Sequence, residues 1–108
     1  MEFDYVAPPK VRISAVIAKA AEIMNVDPAG LQLKSRSAEL FQSRALIAWT
    51  LRRYRPNLSY QQIGNHLGGR DTSTIRSSVV AAKRLASADP YFRGAMAEMV
   101  AFFEAGAA

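Results

Sequence analysis

Apolar residues recur at helical spacing along nearly the whole chain, and nowhere do they alternate over the length of a strand. From about Lys10 to Met24, Val11, Ile13, Val16, Ile17, Ala20, Ala21, Ile23 and Met24 give a broad apolar face and predict a first helix. Pro8-Pro9 forbids a helix before it, so residues 1–9 are expected to be an extended tail. Asn25 to Pro28 breaks the helix. Asp27-Pro28 is a cap-and-first-position pair that predicts a short helical turn ending near Leu31 or Leu33. A long helix follows over about Ala38 to Arg55. Leu40, Ile47, Leu51 and Tyr54 are expected on its inner side, widened by Phe41, Ala45 and Ala48, with Arg44, Arg52, Arg53 and Arg55 outside. Pro56-Asn57 ends it. Asp89-Pro90 opens a last helix to about Glu104, with Phe92, Met96, Met99, Val100 and Phe103 as its apolar side, and residues 106–108 are expected to fray.

Between these lies the stretch around which the chain is organised, Leu58 to Ala86. Ser59 is a good N-cap and Gln62, three residues on, completes a capping box. Ile63 and Leu67 fall on one face. Gly68-Gly69 stops the helix, because glycine accepts the left-handed conformation that such an end needs. Asp71 or Thr72 caps the next helix, whose inner face is Ile75, Val79 and Ala82, continued by Leu85 and Ala86. Arg76, Lys83 and Arg84 lie opposite. Two short helices joined by a glycine turn outline a helix-turn-helix at about 59–87, and the second helix is the one that would enter a major groove. The expected fold is all-α, about six helices, in one domain over 10–108.

Charge sharpens this reading. Ten basic and two acidic residues lie between positions 34 and 84, a net +8, whereas the rest of the chain has four basic and seven acidic residues and nets −3. A positive field this concentrated suits a polyanion. The 108 residues contain no cysteine, which excludes disulfides and thiolate metal sites. His66 is the only histidine and has no partner at metal spacing. Neither a metal nor a cofactor is expected. No apolar run approaches a membrane span and the acidic N-terminus lacks a signal-peptide pattern, so a cytoplasmic location is expected. No set of catalytic side chains converges in sequence, and no enzyme is expected.

Ser59-Tyr60-Gln61-Gln62-Ile63-Gly64 and Gly68-Gly69-Arg70-Asp71-Thr72-Ser73-Thr74-Ile75 resemble the C-terminal DNA-binding domain of the bacterial chromosomal replication initiator, DnaA. The family reads roughly Ser-Leu-x-x-Ile-Gly, a short spacer, then Gly-(Gly/Lys)-Arg-Asp-His-Thr-Thr-Val. Lys34-Ser35-Arg36-Ser37 resembles the family's basic loop, Arg44 fits the pattern, and the resemblance covers about residues 12–86. It implies binding to duplex boxes of the TTATNCACA type, with the helix-turn-helix in the major groove and a basic-loop arginine in the adjacent minor groove. Arg36 stands where that arginine belongs, and Asp71, Thr72, Ser73 and Thr74 where the major-groove signature belongs. Arg52 matches a phosphate-contacting position; Lys34, Arg44, Arg53, Ser59, Arg70 and Arg76 complete the expected phosphate set.

Side-chain chemistry fits each role. Asp71 can accept from a cytosine amine, and the threonine methyls can pack on a thymine methyl. Ser73 at a helix N-terminus can hold a phosphate. An arginine on a loop suits a narrow A/T minor groove. Asp71 also has a plain structural role as a helix cap, and Arg44 as an internal partner of Asp71 or Glu39. The sequence departs from the family at Thr72, where histidine is usual, and at Ser73, where threonine is usual. The basic loop is thinner, with Ala38, Glu39 and Gln42. The box preference is therefore expected to be relaxed or changed.

A Gly-x-x-x-x-Gly-Lys-(Ser/Thr) phosphate loop is absent from these residues. The chain is then either a free-standing domain, chromosomal, phage- or plasmid-borne, or a fragment of a longer protein, with the free-standing form expected, and its expected role is to modulate replication initiation or transcription. The alternative is a protein-interaction module in which Met96, Met99, Phe102 and Phe103 of the last helix, with the first helix, present apolar surface to a partner.

Overall fold

The computed structural model describes residues 11–34 and 37–105. Five α-helices and one 3-10 turn follow in order within them: α1 (Ile13–Met24), the turn (Pro28–Gln32), α2 (Ala38–Tyr54), α3 (Tyr60–Asn65), α4 (Thr72–Ala88) and α5 (Pro90–Ala105). There is no strand among the described residues. The tail over 1–9, the expected fraying at 106–108 and the expected minor-groove residue Arg36 lie outside them.

Local chemistry sets the element ends. Asn25 closes α1 in the left-handed region at φ 57°, its N–H reaching the Ala21 and Glu22 carbonyls. Asp27 caps the 3-10 turn by accepting from the Ala29 N–H at 2.9 Å, with Pro28 at the first position. Ser37 caps α2 through the Leu40 N–H. Asp89 accepts from the Tyr91 N–H at 2.9 Å ahead of Pro90. The first helix starts at Ile13 rather than Lys10, because Arg12 is extended and makes no side-chain cap bond.

Helix α2 is the axis of the fold. The sequence gives it an inner and an outer side, but Ser43 to Ala48 are all buried, as are Thr50 and Leu51. The cause is that α1, α4, α5 and the 3-10 turn all pack on it. Its buried hydroxyls are satisfied at home: Ser43 donates to the Glu39 carbonyl and Thr50 to the Leu46 carbonyl, each at 2.7 Å. Arg44, expected on the outside, is therefore inside. Phe41, expected inside, is 43 % exposed, because in the first turn of α2 it borders an open cleft rather than the core.

The apolar side of the last helix packs inward. Met96, Met99 and Phe103 are core residues, packed with the wholly buried Phe92. Phe103 meets the Tyr54 ring at 5.9 Å between centroids and the Phe102 ring edge-on at 4.9 Å. Phe102 alone of the four is exposed, with the Lys19 ammonium 4.5 Å from its ring centroid. No helix among the described residues is long and apolar enough to cross a membrane.

Candidate nucleic-acid interface

The turn between α3 and α4 is built on Gly64. Ser59 and Gln62 form the full capping box at the start of α3: the Ser59 hydroxyl accepts from the Gln62 N–H at 3.1 Å, and the Gln62 side chain accepts from the Ser59 N–H at 2.8 Å. The Gly64 carbonyl then accepts from the N–H groups of Leu67, Gly69 and Arg70, each at 3.0 Å. A Cβ at Gly64 would run into the Arg70 carbonyl. Gly68 at φ 85° and Gly69 at φ 79° turn the chain, and a Cβ on Gly68 would meet the Gln32 backbone. The Gln32 side chain donates to the His66 carbonyl at 2.7 Å. The 3-10 turn is thus braced against the helix-turn-helix.

Asp71 is the N-cap of α4. It accepts from the Thr74 N–H at 2.8 Å and from the Ser73 hydroxyl at 3.1 Å. These bonds, the Thr74 N–H first, then the Thr74 and Ser73 hydroxyls, hold its exposed carboxyl below the usual carboxylate range. Thr72 is half-buried, while Ser73 and Thr74 are exposed on the first turn. Ile75, Ser78, Val79, Ala81 and Ala82 are buried, and Arg76, Ser77, Val80, Lys83 and Arg84 are exposed. The inner and outer faces of α4 match the sequence reading.

Beside this first turn lies an open cleft of about 650 Å³ between α2 and α4. Ala38 and Phe41 form one wall, Thr74 and Ser78 stand across from them, and Lys34, Arg44 and Arg70 supply the charge. The guanidinium of Arg44 is held by carbonyls at the end of the 3-10 turn: Nε to Leu31 at 3.2 Å, and Nη2 to Gly30 at 3.2 Å and Leu33 at 2.6 Å. Arg70 Nη2 also donates to the Leu33 carbonyl at 2.6 Å, while its Nε is buried without a hydrogen-bond partner. Burial, and then the neighbouring Arg70 charge, push the Arg44 pKa down from its ordinary value.

The remaining cations divide. Arg52 donates to the Pro56 and Leu58 carbonyls at 3.2 and 2.8 Å, pinning the loop before α3. Its guanidinium lies 5.0 Å from the Tyr60 ring centroid, and that of Arg76 lies 5.3 Å from the same ring. Arg53 turns the other way, to α5, where it reaches Glu104 at 3.5 Å, on a face set by the Tyr54–Phe103 contact.

The sequence matches a family model described as the bacterial dnaA protein helix-turn-helix over residues 13–81. The chain belongs to the DnaA helix-turn-helix family. It is accordingly a DNA-binding domain, and its partner is double-stranded DNA. A comparison with curated proteins gave no match.

On this DnaA-type domain the expected site residues fall into three groups. Asp71, Ser73, Thr74 and Arg70 stand together at the start of α4, beside Lys34 and the cleft, with Thr72 half-buried there. Arg52 and Arg76 flank Tyr60 at the start of α3. Arg44 lines the same cleft with its guanidinium held by backbone carbonyls, Arg53 is turned to α5, and the Ser59 hydroxyl accepts the capping bond from Gln62. Sequence reasoning did not single out Tyr60, which lies between two guanidiniums, or Phe41, which borders the cleft. Tyr60 stands where the family has leucine, a departure that marked it as a position with its own task. Phe41 gave no such signal, because its spacing from Ala45 and Ala48 is that of a core residue. Among the described residues no group of side chains is suited to hold a metal ion.

Proposed function

We propose that this domain reads specific duplex boxes related to those of the replication initiator, and so modulates replication initiation or transcription. The observation that carries this reading is the exposed first turn of α4, with Ser73 and Thr74 pointing outward next to a cleft charged by Lys34, Arg44 and Arg70. In this reading Thr72, Ser73 and Thr74 meet base edges or nearby phosphates, and Asp71 accepts from a cytosine amine while capping the helix. Arg70, Arg76, Arg52 and Lys34 contact phosphates, and Arg36 enters the minor groove. Thr72 in place of the family histidine shortens the reach at one position, so the preferred box differs there from the initiator type. A site on the bacterial chromosome, reached from the cytoplasm, follows from the same reading.

The test is a fluorescence-anisotropy titration with an initiator-type box and a scrambled duplex at several salt concentrations. Expected are tighter binding to the box by about ten-fold or more and a steep fall of affinity with salt. Equal, salt-sensitive binding to both would overturn the box preference and leave phosphate contact only. Thr74→Ala is expected to lower affinity for the box and leave the scrambled duplex unchanged.

A further inference from the structure

We infer that Phe41 is a base-reading residue that takes the 5-methyl group of a thymine in the cleft it shares with Thr74. The inference rests on the DNA reading above and deepens it by naming a further specificity-determining side chain.

Phe41 lies in the first turn of α2 and is 43 % exposed, whereas Phe92, in the core of the same domain, is wholly buried. Its side chain borders the cleft. Across the gap stand Thr74, exposed on the first turn of the recognition helix, and the buried Ser78 one turn on, and Lys34 and Arg70 mark the rim. The two guanidiniums do not fill the space. Arg44 and Arg70 are both drawn to the Leu33 carbonyl, at 2.6 Å each, which leaves the ring open to a ligand.

The chemistry of this cleft narrows its occupant. Three cations repel a basic peptide and a second copy of the same positive surface, and attract a polyanion. The ring asks that the polyanion bring an apolar group. In the major groove the thymine methyl is that group, and phenylalanine is among the side chains that pack on it. Thr74, already placed on the reading turn, borders the same space, so a base edge held by Thr74 brings its methyl toward Phe41.

The experiment isolates one methyl group. The tightest-binding duplex is selected from a randomised pool with the full chain. Each thymine is then replaced singly by deoxyuridine, which removes the methyl and leaves the hydrogen-bonding edge unchanged. The wild-type chain is expected to lose about four-fold in affinity at one such position, the effect of burying a single methyl-sized group. Phe41→Ala is expected to bind the parent duplex about four-fold more weakly and to be indifferent to that one replacement. Phe41→Leu, which keeps an apolar wall, is expected to retain part of the discrimination. Equal losses in wild type and Phe41→Ala at every thymine would overturn the inference while leaving sequence-specific binding intact. A pool that yields no preferred duplex would instead overturn the DNA reading itself, and this inference with it. Thermal melting by circular dichroism serves as the control, and an exposed Phe41 predicts an unchanged midpoint.

Discussion

Arg44 and Arg70 donate to one and the same acceptor, the carbonyl oxygen of Leu33, each at 2.6 Å. Two like charges are thus drawn together at the end of the 3-10 turn, and they do different work. Arg44 is 6 % exposed and also serves the Gly30 and Leu31 carbonyls, so removing it strands backbone acceptors around a hole. Arg44→Ala is expected to destabilise the fold by roughly 3 kcal/mol. Arg44→Lys is expected to rescue little, since an ammonium cannot reproduce the guanidinium fork. Arg70→Ala is expected to cost less than about 1 kcal/mol in the same urea titration, yet to weaken DNA binding.

Gly64 carries the tight approach between α3 and the chain entering α4. Gly64→Ala forces its methyl onto the Arg70 carbonyl and disturbs the three N–H bonds gathered on the Gly64 oxygen. A loss of roughly 3 kcal/mol is expected in chemical denaturation, far beyond the ordinary gain in helix propensity. Gly69→Ala is the control. It meets no atom within 4 Å, so its cost is the strain of a left-handed alanine alone, about 1–2 kcal/mol.

Two guanidiniums, those of Arg52 and Arg76, lie against the Tyr60 ring at 5.0 and 5.3 Å from its centroid. Tyr60→Phe is expected to bind DNA as the wild type does. Tyr60→Leu, the residue usual in the family, is expected to keep the fold and to bind all duplexes more weakly. The slope of log affinity against log salt is expected to become shallower by about one, as one phosphate contact loosens. An unchanged slope would show that the ring does not position Arg52 or Arg76 for phosphate.

The Asp71 cap sets a pH dependence with a definite sign. Its folded carboxyl titrates below the unfolded one, so the cap bonds stabilise the fold fully above the unfolded value, about 3.9. That contribution is lost as pH falls through the lower, folded value. Asp71→Asn keeps a capping acceptor and is expected to remove this acid-side loss, with thermal midpoints from pH 2 to 6 as the readout. A pH profile identical to wild type would show that the carboxylate charge contributes nothing to the cap.

Arg53 and Glu104 test where the domain's DNA face stops. Their exposed contact links α2 to α5, away from the start of α4. Arg53→Ala is expected to change DNA affinity less than Arg76→Ala does, measured side by side at one salt concentration. The reverse order would extend the DNA face to α5.

Much of this was legible before any coordinates. Ser59 with Gln62, Asp27 with Pro28, Asp71, and Gly68 with Gly69 act through bonds or dihedrals a few residues long, and local chemistry of that range is written in the sequence. The inner face of α4 was legible for the same reason. What depended on distant packing was not. Arg44 is buried because carbonyls 11 to 14 residues earlier in the chain converge on it, and no spacing within α2 encodes that. Phe41 has the spacing of a core residue and lacks only a neighbour. Met96, Met99 and Phe103 read as an apolar stripe, and a stripe does not say whether its partner is the same chain or another.

The brace between the 3-10 turn and the helix-turn-helix has a consequence for how the domain measures DNA. Gln32 grips His66, 34 residues away, and Arg70 grips Leu33, 37 residues away, while Gly68 sits against the Gln32 backbone. The basic segment that leaves Leu33 therefore starts from a point fixed relative to the recognition helix. In the proposed DNA reading, the loop and the recognition helix thus reach for one target from origins whose separation the fold itself sets, like the hinge of a caliper.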